Sequence, residues 1–218
     1  PAADLPTRRA IEDDHREFTL GLLHFIRTEP SVPKRIRDSF ARFGLPKDEH
    51  VDTGHFPPMI YIREARRMVG EHVLTQHDID REPRKPDSIG VGLAPITIHN
   101  VQRVALADGY YHEGSAHTPY EPHGAPYQIP YRALLPKRGQ CDNLLVPVCL
   151  SASHVALGSI RVEPTWIMLG QSAGVAAALA AAEGVACHDL PYDRLRERLL
   201  AGRQVLDILP EQEPEPAP

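Results

Sequence analysis

The sequence predicts an α/β protein of the α+β kind, and three observations carry that expectation. First, Ile11, His15, Phe18, Leu22, Phe25 and Ile26 fall on one face of an amphipathic helix over residues 8–27. Second, β-prone runs fill the middle of the chain at 89–98, 101–107 and 127–135. Third, residues 143–183 (NLLVPVCLSASHVALGSIRVEPTWIMLGQSAGVAAALAAAE) read as a buried strand at 144–148, a loop over 151–161, and a helix almost free of large polar side chains.

The remaining elements follow in order. A short helix is expected over 33–43, with Ile36, Phe40 and Phe43 inward and Gly44 as its stop. Residues 46–58 form a charged, proline-bearing loop, and the apolar run 59–62 reads as a strand delivering Arg63-Glu64-Ala65-Arg66-Arg67. Asp108-Gly109 is a hairpin turn signal with Tyr110-Tyr111 starting the return strand. A polar loop occupies 115–126, a last amphipathic helix runs over 191–200, and 211–218 (EQEPEPAP) has the composition of a disordered tail. The expected organisation is a helical and β-rich region over 1–140, a strand–loop–helix unit over 141–207, and a tail over 208–218. This is not a self-sufficient doubly wound pattern, because no glycine-rich GxGxxG turn occurs in the 218 residues.

Composition excludes several classes. Hydrophobic content of 42% and charged content of 24% are those of a globular protein. The 22 prolines are twice the usual share of about 5%, which predicts irregular connections. A net charge of −5 gives no reason to expect nucleic acid or an anionic membrane as partner. Three cysteines without a CxxC pair argue for reduced thiols rather than a disulfide framework. The chain begins Pro1-Ala2-Ala3-Asp4, and no secretory signal is visible. Residues 165–182 are apolar, but Glu163 and Glu183 flank them closely and Gln171 interrupts them, so they read as a core helix rather than a membrane span.

Two patterns in the 143–183 stretch point to different chemistry. The loop over 151–161 presents Ser151, Ser153, His154, Gly158, Ser159 and Arg161 ahead of a helix N-terminus, a set suited to a phosphate, a carboxylate or an electron-rich ring edge. Equally, the serines can be turn formers, His154 a partly buried residue and Arg161 a partner of Glu163 or Glu64. Gly170-Gln171-Ser172-Ala173-Gly174 matches the hydrolase nucleophile elbow, which makes an esterase using Ser172 the rival reading. That order demands an acid and then a histidine downstream. Only His188 follows, with Asp189 after it, so packing explains the small residues better. Of the 12 histidines, His112, His117 and His123 share a loop, but their spacing fits no structural zinc pattern and no metal is expected.

The blocks RDSFARFGLPKDE (37–49), YIREARRMVGEHVLTQHDID (61–80), HNVQRVA (99–105), IPYRALLPKRGQCDNLLVPVCLSASHVALGSIRVEPTWIMLGQSAG (129–174) and VLD (205–207) resemble the C-terminal portion of a family of FAD-dependent oxidoreductases, the flavoproteins sometimes labelled xanthan-lyase-like. The resemblance implies the C-terminal part of a Rossmann-type FAD-binding fold plus a β-rich substrate domain with N-terminal helices. It implies FAD as cofactor and a missing N-terminal FAD-binding half, from the same gene or a partner chain. Under it, the strand at 144–148 ends the FAD-binding sheet and the turn at Cys149–Ser151 faces the ribityl–pyrophosphate. Gly158, Ser159, Ile160, Arg161 and Val162 lie by the isoalloxazine ring. The helix from about Pro164 aims its positive end at the flavin N1/C2-carbonyl edge. His154, Arg161 and His99 become the candidates for substrate contact or proton management, braced by Arg63, Glu64 and Arg66. The family often carries Asp two residues before the histidine, where this chain has Thr97. Hydride transfer with a small organic substrate is the implied reaction, and a non-catalytic fragment is the remaining alternative.

Overall fold

The computed structural model describes residues 2–62, 64–100, 102–117 and 125–209, and the chain divides into two compact units, Pro1–Ala65 and Arg66–Pro218.

In the first unit, Asp4 starts helix α1 (Leu5–Thr28) by accepting a 2.9 Å hydrogen bond from the Thr7 amide. Helix α2 (Lys34–Phe40) follows a turn that Arg37 clamps by donating to the carbonyls of Glu29, Pro30 and Val32. Both expected helices form, but the second is shorter than 33–43, and Ile36, Phe40 and Phe43, expected inward, are exposed. The expected strand at 59–62 does not form. Pro57 and Pro58 lead into it, and among the described residues no segment pairs with it. No described residue of this unit is buried: Phe18 is 70% exposed, Phe43 69% and Met59 77%.

The second unit has a core. Helix α3 (Gln76–Asp80) is opened by a capping box in which Thr75 and Asp78 satisfy one another's end of the turn. The strands are β1 (Ser88–Gly92), β2 (Thr97–Ile98), β3 (Gln102–Leu106), β4 (Gly109–Glu113), β5 (Ala116–His117) and β6 (Tyr127–Pro130). Among the described residues they pair only two by two and antiparallel: β1 with β6, β2 with β5, and β3 with β4 across the Asp108-Gly109 turn. The run expected as one strand over 127–135 turns after Pro130 into a 3-10 turn, Tyr131–Leu134.

Two expectations for 143–161 are corrected. Residues 144–148 form no strand: Leu144 and Val148 are each 47% exposed, and Pro147 lacks the N–H that a central strand needs. The loop expected over 151–161 is largely helix α4 (His154–Ile160), with Ser153 Oγ accepting from the Ala156 amide as its N-cap. The extended run that does form lies just after 148. Met68 donates to the Cys149 carbonyl, Leu74 to Ser151 and Ser153 to Leu74, so 68–74 lies alongside 149–153 with a parallel bridge between Leu74 and Ala152. On the other side, the Ser151 amide donates to Ala133.

Helix α5 (Glu163–Glu183) and helix α6 (Tyr192–Ala201) complete the unit. Leu169, Ala173, Ala176 and Ala180 bury one face of α5, which packs on β1 and α6. Gly90 is where helix and strand meet most closely, since a Cβ there would fall 2.2 Å from Met168 Sδ. Gly184 at φ 68° ends α5 in the left-handed conformation that glycine adopts without strain. Residues 210–218, which include most of the expected tail, lie outside the described residues, as do Arg63 and 118–124 of the polar loop.

Candidate functional site at the junction of α4 and α5

β2 and α4 meet tightly, and α5 begins three residues after α4 ends. A Cβ on Gly158 would sit 3.0 Å from Ile98 Cγ1 and 3.3 Å from the Thr97 carbonyl, so glycine lets α4 lie against β2. Arg161, the residue that ends α4, is only 8% exposed and donates through Nη2 to the Thr97 carbonyl at 2.8 Å. A buried guanidinium costs several kcal/mol to desolvate unless its surroundings compensate. This one binds the β2 backbone directly ahead of His99, which is exposed.

The candidate residues fall into two groups. Ser151 Oγ accepts from the Gly70 amide at 2.9 Å and the residue is fully buried. Ser159 Oγ bonds both the Tyr127 hydroxyl, at 2.7 Å, and the Ala94 carbonyl. Burial raises the Tyr127 hydroxyl pKa and the Ser159 hydrogen bond lowers it in part. Ile160 and Gly158 are likewise interior. These four shape the wall of the junction from behind, and their polar atoms are engaged by the chain itself. Cys149, His154 and His99 are exposed and Val162 is half-buried, so these side chains can reach a ligand. Glu64 is half-buried in the first unit, Arg66 is exposed at the start of the second, and Arg63 lies outside the described residues.

The start of α5 offers fewer donors than its sequence suggested. Pro164 has no N–H, the amides of Thr165 and Trp166 both donate to the Val162 carbonyl, and the Glu163 carboxylate stands in the first turn. What the sequence missed is Trp166. Its indole Nε1–H is buried and has no hydrogen-bond partner among the described residues, which leaves one donor in the first turn of α5 unsatisfied by the chain. A tryptophan in the first turn of a helix that follows a polar segment was the available signal.

The nucleophile elbow is excluded by position. Ser172 lies mid-helix in α5, is fully buried, and its Oγ is bonded with the carbonyls of Ile89 (2.9 Å) and Met168 (3.1 Å) and with Gln204 Nε2 (2.6 Å). It ties α5 to β1. His188 and Asp189 are occupied elsewhere, by the Pro136 carbonyl and by Arg138. Among the described residues no group of three or more His, Cys, Asp or Glu is placed to hold a metal ion.

The fold is of mixed helix and strand, with a buried arginine joining β2 to the end of α4. The family model described as FAD dependent oxidoreductase matches residues 1–199. The chain belongs to this family, and FAD is the cofactor the family uses. No curated protein and no solved structure matches the chain. Among the described residues the unpaired Trp166 N–H is a donor of the kind that a ring carbonyl or nitrogen of FAD would accept from. A glycine-rich turn for the pyrophosphate is absent from the 218 residues.

Proposed function

We propose that this chain forms the flavin-edge and substrate side of an FAD-dependent oxidoreductase, transferring a hydride between flavin and a small organic substrate. In this reading 141–207 is the C-terminal portion of a Rossmann-type FAD-binding fold, 1–140 is the substrate region and 208–218 is a tail. The glycine-rich, phosphate-binding half is carried by polypeptide outside these 218 residues. The observation that carries the reading is Arg161, a buried cation fixed on the Thr97 carbonyl beside His99 and at the foot of α5, within a chain of this family.

FAD, when bound, supplies the hydride acceptor or donor. The chain supplies the surroundings. Arg161 places fixed positive charge where negative charge builds up on the cofactor or substrate, and the low dielectric around it strengthens that effect. His99 and His154, both exposed, are the groups that contact substrate and move a proton. Cys149 and Val162 line the accessible side, while Ser151, Gly158, Ser159 and Ile160 hold the wall in place.

Flavin absorbance of the protein made from its uninterrupted gene and reconstituted with FAD tests the class, since lack of a flavin band opposes it. Within that holoprotein, Arg161→Met is expected to lower the rate of flavin reduction by about 10²-fold, the scale of a lost oxyanion-type donor. If His99→Ala, His154→Ala and Arg161→Met all reduce flavin at the wild-type rate, the chain is a non-catalytic module and the assignment of these residues fails.

A further inference from the structure

One half-buried cation of the second unit lacks a counter-charge. Arg67 donates through Nε to the Ala152 carbonyl at 3.1 Å. That is its only hydrogen bond among the described residues, and no carboxylate there pairs with it. Arg196, the other half-buried arginine of this unit, has Asp207 at 3.0 Å, and the exposed Arg132 and Arg138 have Asp87 and Asp189. Taking a guanidinium out of water costs free energy unless hydrogen bonds or an opposite charge replace its hydration. For Arg67 the chain supplies one bond, which anchors the group and leaves the N–H donors of both Nη atoms unspent.

Ser153 adds a second donor. Its Oγ accepts from the Ala156 amide at 3.1 Å and gives no hydrogen bond among the described residues, so its proton is also unspent. The Ala152 carbonyl that holds Arg67 belongs to the peptide unit whose nitrogen is that of Ser153, so the chain itself brings guanidinium and hydroxyl together. The Ser153 amide is fixed in turn on the Leu74 carbonyl, and Cys149 and His154 on either side are exposed, which leaves the place open to a ligand. A carboxylate or a phosphate only accepts, and two of its oxygens match the paired Nη groups of an arginine. We propose that Arg67 and Ser153 form an oxyanion subsite ahead of α4, with both Nη groups donating to a carboxylate or phosphate and the Ser153 hydroxyl donating to one of its oxygens. That the anion is carried by the substrate or by the cofactor rests on the flavin reading; that the subsite takes an anion does not.

Nuclear magnetic resonance of the isotope-labelled 218-residue chain tests it, with inorganic pyrophosphate and propionate as probes at an ionic strength held constant with potassium chloride. Saturable shifts of the Arg67 Nε–H and Ser153 amide signals are expected at millimolar concentration. Tighter binding of pyrophosphate assigns the anion to the cofactor's diphosphate, tighter binding of propionate to a carboxylate substrate, and either supports the subsite. Arg67→Met is expected to weaken the preferred probe about tenfold and Arg67→Lys about threefold, since an ammonium keeps the charge and loses the fork. Ser153→Asp keeps a cap on α4 and gives Arg67 a carboxylate within the chain, so it should abolish binding with an unchanged circular dichroism spectrum. The absence of saturable shifts with both probes overturns the proposal, as does equal affinity in Arg67→Met. The flavin reading fails on a different result, a missing flavin band in the reconstituted holoprotein, which leaves these titrations unaffected.

Discussion

The two units of this chain contain similar apolar material and use it oppositely. In Arg66–Pro218, Leu74, Ile89, Tyr127, Ile129, Leu134, Leu150, Leu169 and Leu195 are fully buried in one continuous cluster. In Pro1–Ala65, Ile11, Phe18, Leu22 and Phe25 repeat along one face of α1, and each is more than 40% exposed. A unit with no buried residue among those described has less hydrophobic stabilisation of its own, because that term follows the apolar area removed from water. An amphipathic pattern thus fixes which face is to be covered, and says nothing of what covers it.

The largest effect that would break this contrast is in the core. Leu169→Ala is expected to destabilise the chain by about 3 kcal/mol in urea denaturation, whereas Phe18→Ala should shift it by less than ~0.5 kcal/mol. Equal losses would mean that α1 is covered after all. Next is the buried carboxylate at α3. Burial raises the Asp78 pKa, but hydrogen bonds from the Thr75 hydroxyl and amide, then Lys85 and His72, outweigh it and hold the group at about 2. A carboxyl depressed in the folded state stabilises fully above its unfolded pKa of about 4, and that stability is lost as pH falls from there through about 2. Asp78→Asn is therefore expected to cost about 2–3 kcal/mol at neutral pH, partly by stranding the buried Lys85, and to flatten the acid limb of the stability curve. An unchanged acid limb would show that the depression has another origin. The smallest effect sharpens the reading of Ser172. Ser172→Ala should cost about 1 kcal/mol by removing the hydroxyl bonds to the Ile89 carbonyl and Gln204, which stay bonded to one another, and wild-type protein should resist a fluorophosphonate. Labelling at Ser172 would reopen the hydrolase reading.

Much of the secondary structure was legible because its signals are local. Asp4-Leu5-Pro6 and the spacing of α1, the Asp108-Gly109 turn, and the small-residue run ended by Gly184 each sit within a few residues of what they specify. The strand at 144–148 failed because an apolar run needs a partner to become a strand, and the hydrogen-bonded partners of this region, 68–74 and 133–134, are distant in sequence and carry no alternation. Helix α4 was hidden because Ser151, Ser153 and Gly158 favour loops locally; tight packing on Ile98 decided the matter. At the candidate site, chemistry-bearing residue types were legible but their engagement was not. Ser159 looks like a ligand donor until Tyr127 and Ala94 are found on its hydroxyl, and Trp166 looks like core until its N–H is found without an acceptor.

The central claim is that this chain holds the flavin edge while the phosphate cradle lies outside it. Its most direct test is the visible absorbance, after reconstitution with FAD and gel filtration, of two samples: the 218-residue chain alone and the protein from its uninterrupted gene. The account predicts about one FAD per chain in the second and none in the first. A flavin band retained by the 218-residue chain alone, or missing from both, would contradict it.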